Sequence, residues 1–185
     1  STIRSSADFL PVLEFCVEFW PNLNYKMLDD AMEALWRKVP IGDHSRFYVP
    51  FIEYVPTICE SDSSNFRTFL LNLVIRTHRQ FWSPSASLYA FRTFVHSGVA
   101  IPDASTFEEL AASAMLLKHS KLLSLRIYED CQVFNIKPTL RMYELLIRAN
   151  ARGRNLTSLL YFLSRVPDPD QNLSPYLKTF LFHQF

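Results

Sequence analysis

Apolar residues recur three and four positions apart along most of the chain, and no stretch alternates with a period of two, so the pattern predicts helices throughout and no strand. Residues 7–20 read as an aromatic helix closed at Trp20-Pro21. Asn24 caps an amphipathic helix over about 25–38. Met27, Leu28, Ala31, Leu35 and Trp36 form one face, and Lys26, Asp29, Asp30 and Glu33 the other. A third helix runs over about 44–55, started or kinked by Pro50. Residues 61–65 are a polar linker or cap. A long helix over 66–81 follows, with Phe69, Leu70, Leu73 and Val74 apolar and Arg67, Arg76 and Arg79 pointing elsewhere. Pro84 starts the next helix, which stops at Ser97-Gly98. Ser105 or Thr106 is placed to cap a helix reaching Leu117, with Glu108 and Glu109 in its first turn, and 119–134 is its partner. Helices over about 139–152 and 155–165 repeat this plan, with Gly153 in the turn and Asn155 as cap. A last helix over 173–184 has no partner in the sequence.

The spacing of these elements adds a fold. Pro102-Asp103 is followed by Phe107 and Pro138-Thr139 by Tyr143 at the same interval, and the two aromatics lie 36 residues apart. Self-similarity at a period of roughly 30 to 40 residues indicates stacked helical repeats. The expected architecture is an all-α chain forming an α-solenoid of stacked antiparallel helical hairpins. Residues 1–62 would be N-terminal hairpins, either degenerate repeats or a cap. Residues 63–185 would be the repeats proper, ending in an unpaired helix. Such proteins bind or scaffold, so the expectation is no enzymatic activity.

Composition narrows this further. The chain is 49% apolar, with 16 Phe and 8 Tyr as core material, and only 3 Gly, which argues against Rossmann folds and P-loops. The net charge of +1 hides an asymmetry. Residues 1–62 hold five basic and ten acidic side chains, whereas residues 63–185 hold fourteen basic and eight acidic. The acidic half suits a protein neighbour and the basic half a nucleic acid. Cys16, Cys59 and Cys131 are odd in number, widely spaced and in apolar contexts, which implies buried reduced thiols. No apolar run reaches the length of a membrane span. The opening Ser1-Thr2-Ile3-Arg4-Ser5-Ser6 reads either as the remnant of a Ser/Arg-rich organellar presequence or simply as the first ordered residues.

Residues 101–176 resemble the pentatricopeptide repeat family. Asn135-Ile136-Lys137-Pro138-Thr139 is similar to the hairpin-ending segment of that family, and 143–149 to its tyrosine-led first helix. Arg152-Gly153-Arg154 resembles the basic interhelical turn, and 159–163 the apolar second helix. A weaker copy starts at Phe107 and a looser one near Phe66. The resemblance implies a subunit of a mitochondrial ribonucleoprotein in the matrix, with the mitochondrial ribosome or its assembly or processing machinery leading. It implies protein subunits and organellar RNA as partners, no small-molecule substrate and no cofactor. It also pairs Glu108 with Thr139, and Glu144 with a residue near Asn172, at the positions that read bases in the family. Glutamate departs from the small or amide side chain found there, and its charge opposes an RNA backbone. Docking on proteins or on structured RNA is therefore implied rather than base-by-base readout. The alternative is an RNA-free accessory subunit of a respiratory complex or ATP synthase.

The candidate site residues follow from charge and spacing. Arg141, Arg148 and Arg152 fall along one side of their helix, with Arg154 in the turn, as a stripe suited to phosphate. Arg76 and Arg79, with His78 and Arg67, form a second basic patch, and Lys118 and Lys121, with His119, a third. Phe81-Trp82 is either a base-stacking platform or hairpin core. Trp20, Trp36, Tyr48 and Tyr54 are protein-docking candidates, since Trp and Tyr are enriched as interface anchors. The five histidines are scattered, with no HExxH and no paired Cys/His spacing, so no metal site is expected. No GxSxG and no Gly-rich phosphate loop is present.

Overall fold

The computed structural model describes residues 64–81, 84–117 and 120–184, with the side chains of residues 66, 81, 120 and 121 excepted. The helices expected over 7–20, 25–38 and 44–55 lie outside the described residues, as do Cys16 and Cys59. Among the described residues the fold is all-α, 77% helix with no strand, as the hydrophobic period predicts. These residues form eight helices: α1 (Ser64–Phe81), α2 (Pro84–His96), α3 (Ala104–Ala114), α4 (Ser120–Val133), α5 (Leu140–Arg152), α6 (Leu156–Leu163), α7 (Pro169–Asn172) and α8 (Pro175–Gln184). The chain forms two compact units, Ser1–Ile101 and Pro102–Phe185. The boundary expected near residues 62–63 falls outside the described residues.

In the first unit α1 and α2 pack as a hairpin. Leu70, Leu73 and Val74 are buried as expected, together with Leu71 and Ile75, against Ala90, Phe91 and Phe94 of α2. Pro84 opens α2, where its missing N–H is no loss. Ser87 is buried at no polar cost, because its hydroxyl donates to the Ile75 carbonyl at 2.9 Å across the hairpin. Thr68 Oγ1 donates to the Ile101 carbonyl at 2.7 Å and holds the exit of the unit against α1.

The second unit centres on α5, which contacts α3, α4, α6 and α8. Phe107 and Tyr143, matched in the sequence spacing, are both buried. Each lies four residues past its N-cap, with its amide donating to the cap carbonyl: Phe107 to Asp103 at 3.4 Å and Tyr143 to Thr139 at 3.1 Å. Leu110, Leu146, Ile147, Ile127 and Phe162 complete the interior. The tail helix, partnerless in the sequence, docks on α5 and buries Leu177 completely.

The capping differs from the sequence expectation. Asp103, rather than Ser105 or Thr106, caps α3: its Oδ1 accepts from the Thr106 amide at 2.8 Å, and Thr106 Oγ1 accepts from the Asp103 amide at 3.0 Å. This reciprocal box fixes the helix start two residues earlier than a hydroxyl at Ser105 would. The same helix ends at Ala114, short of Leu117. Thr139 caps α5, accepting from the Met142 amide at 3.1 Å, and Ser174 Oγ accepts from the Leu177 amide at 3.3 Å at the start of α8. The three caps are thus 36 and 35 residues apart. Asn155 holds the N-cap position of α6 as expected, but its side chain makes no capping bond: its side-chain amide donates to Asn150 Oδ1 at 3.1 Å and to Ser158 Oγ at 2.8 Å and so knits the turn.

Three helix exits share one geometry. Gly98 (φ 69), Asn135 (φ 55) and Arg154 (φ 50) are left-handed, each two residues past a helix. Each donates to the carbonyl three back, and the next residue donates five back: Gly98 to Val95 and Val99 to Phe94, Asn135 to Gln132 and Ile136 to Cys131, Arg154 to Ala151 and Asn155 to Asn150. These paired bonds satisfy the last carbonyls of the helix. Glycine takes the left-handed position only at 98. Gly153 lies in its turn as expected but has φ −77, and the strained position falls on Arg154.

Candidate functional site

The caps of α3 and α5 set one side-chain position at the same distance along each helix. Glu108 lies five residues after the Asp103 cap, and Glu144 five after the Thr139 cap. Thr139 Oγ1 donates to Glu108 Oε1 at 2.5 Å. Glu144 Oε1 accepts from the Ser174 backbone amide at 2.7 Å. Each carboxylate therefore reaches the residue at the N-terminus of another helix, α5 for Glu108 and α8 for Glu144, where the positive end of the helix dipole favours it. Arg141 Nε stands 3.6 Å from Glu108 Oε2, with the Arg141 side chain largely exposed, so this pair contributes little by itself. The two glutamates matched to base-reading positions are thus engaged within the unit. The expected neighbour of Glu144 near Asn172 is in fact Ser174.

The arginine stripe on α5 does not form one continuous surface. Arg148 lies beneath α8, its guanidinium 5.1 Å from the Tyr176 ring centre and 5.9 Å from that of Phe180. Its Nε is buried without a hydrogen bond. Arg152 and Arg154 are exposed, and among the described residues neither has a carboxylate within ion-pair distance. Arg152 edges an open concavity of about 300 Å³ shared with Met115, Leu116, Leu117 and Gly153, where the turns ending α3 and α5 lie together.

Arg76 and Arg79 sit on α1, both half-buried. His78 between them is completely buried, so it is part of the hairpin interior rather than of a basic patch. Lys118 lies outside the described residues. Lys121 is the second residue of α4, and its side chain lies outside the described residues. The same holds for Phe81-Trp82 as a stacking platform and for the docking candidates Trp20, Trp36, Tyr48 and Tyr54.

Behind α5 the rings of Tyr128, Tyr143, Tyr161 and Phe162 meet. Tyr128 lies 6.1 Å from Tyr143, 6.0 Å from Tyr161 and 5.6 Å from Phe162, centre to centre. Burial, and then the hydrogen bond with Tyr128, push the Tyr143 hydroxyl well above the ordinary phenol range. Cys131 is completely buried, as expected of a reduced thiol, and its Sγ–H donates to the Ile136 carbonyl at 3.2 Å. Burial pushes this thiol up to about 11, so it stays protonated and unreactive at neutral pH. Arg165, not singled out in the sequence, lies 5.2 Å above the Tyr161 ring. Among the described residues no group of three or more His, Cys, Asp or Glu is placed to hold a metal ion, and no helix is long and apolar enough to cross a membrane.

Comparisons with family models, with curated proteins and with solved structures each give no match to this chain.

Proposed function

We propose that this chain is a non-enzymatic helical-repeat scaffold, an α-solenoid of antiparallel hairpins that serves as an RNA-associated subunit of a mitochondrial ribonucleoprotein. The mitochondrial ribosome, or the machinery that assembles or processes it, is the leading assembly. One observation carries the repeat reading: the caps at Asp103, Thr139 and Ser174 recur at near-constant spacing, and each intervening first helix sends a glutamate to the next cap. A contact that repeats in register lets hairpins add in series and leaves a long outer surface. The mitochondrial setting rests on the resemblance to pentatricopeptide repeats. The near-zero net charge suits a peripheral subunit with more protein than RNA contact.

Arg152 and Arg154 are the phosphate-holding residues in this reading, with Arg141 as a further contributor in the second unit and Arg76 and Arg79 as separate candidates in the first. Arg148 helps indirectly, by fixing α8 on α5. A titration of the whole chain with fluorescein-labelled oligouridine across salt tests it. Affinity should fall steeply as salt rises, and Arg152→Ala with Arg154→Ala should flatten the slope by about 1.4, at roughly 0.7 per phosphate on a single strand. The covering of Arg148 by Tyr176 and Phe180 favours a second reading, an RNA-free structural subunit of a respiratory complex or ATP synthase. Absence of RNA affinity at low salt would select that second reading.

A further inference from the structure

Helix α6 is largely apolar, with Leu156, Leu159, Leu160, Tyr161, Phe162 and Leu163 among its eight residues and only Thr157 and Ser158 polar. Helices of that composition are normally enclosed. Here only the inner side is: Ser158, Leu159 and Phe162 are buried. Leu156 is 51% exposed, Leu160 54% and Tyr161 37%. Leu156, Leu160 and Leu163 recur at i, i+4 and i+7 and form a stripe along one side of the helix, with Leu156 and Leu160 exposed and Leu163 half-buried at its edge.

The two ends of this stripe are basic. Arg154 lies just before the helix and Arg165 just after it, eleven residues or about three turns apart. Both are exposed, and among the described residues neither has a carboxylate within ion-pair distance. The Tyr161 ring holds the Arg165 guanidinium beside the stripe. We propose that the outer face of α6 docks an amphipathic helix of a partner protein, with an apolar ridge and a carboxylate about three turns apart at each end. Helix-in-groove recognition reads anchors at this i, i+4, i+7 spacing. The terminal arginines set the register and select against basic partners. RNA fits the leucine stripe itself poorly, because a phosphate backbone calls for a row of cations and residues 155–164 hold none.

The proposal rests on the scaffold reading, and its test is separate from the RNA titration. The probe is a synthetic helix of about four turns with leucines at i, i+4 and i+7 and a glutamate beyond each end, compared with its lysine counterpart by fluorescence anisotropy on the whole chain. The acidic probe should bind at least about tenfold more tightly than the basic one. Leu160→Glu should weaken it about tenfold with the circular dichroism and unfolding midpoint unchanged, since Leu160 supports no core. Arg165→Glu should shift preference toward a probe carrying lysine at the matching end. Equal affinity for the two probes, or indifference to Leu160→Glu, overturns the proposal. So does sedimentation showing self-association that Leu160→Glu abolishes, because the occupant would then be a second copy. Failure of RNA binding leaves these outcomes unchanged.

Discussion

At the N-terminal end of α5 the charged side chains are engaged by the fold. Glu108 receives the Thr139 hydroxyl, Arg141 stands beside it, and Glu144, further along the helix, takes the Ser174 amide. At the C-terminal end Arg152 and Arg154 are exposed, with no carboxylate in reach among the described residues. Both ends bear formal charges at helical spacing, yet one end fastens a hairpin to the next and the other faces outward uncommitted. Charge in a sequence therefore marks a binding surface only where the structure leaves it without an internal role.

The core beneath both ends sets the largest effect. Phe162 is completely buried against Tyr128 and Tyr161, so Phe162→Ala should destabilise the second unit by about 3–5 kcal/mol. Urea unfolding followed by near-ultraviolet circular dichroism reads this, and a loss below about 1 kcal/mol would mean that the aromatic cluster does not hold the hairpins. The N-terminal fastening comes next. Glu144→Ala leaves the Ser174 amide without its acceptor and should cost about 1.5–3 kcal/mol, with faster amide exchange at Ser174. Unchanged exchange there would break the contrast between the two ends. The smallest effect has the opposite sign. Arg154 occupies a left-handed position where glycine is unstrained, so Arg154→Gly should stabilise by about 0.5–1 kcal/mol while weakening polyanion binding. A destabilised variant would show that Arg154 has a structural role and does not belong to the uncommitted end.

What could be read in advance follows the range of the interactions. Helix type and position were legible because the apolar period is local, and α2, α4 and α5 lie within one or two residues of their expected spans. Caps were less so. Asp103 with Thr106 three residues on is a legible pattern, but Ser105 and Thr106, nearer the apolar run, are equally good cap types by residue alone. Asn155 has the right residue type, but Asn150 and Ser158 compete for its side chain. The candidate site suffered most, because covering is non-local. Spacing placed Arg148 in line with Arg141 and Arg152, and nothing in that spacing shows that α8 returns to lay Tyr176 over it. His78 sits between two arginines in the chain, but the helix turns it inward. The outer stripe of α6 was visible as leucines at 156, 160 and 163, but it overlaps in the sequence with the inner set that forms the core.

The contact between Glu108 and Thr139 fastens α3 to α5. A double-mutant cycle of Glu108→Ala and Thr139→Ala, read as unfolding free energy, measures it directly. The expected coupling is about 1 kcal/mol, as for residues sharing a hydrogen bond. Additive losses, with no coupling between the two positions, would contradict it.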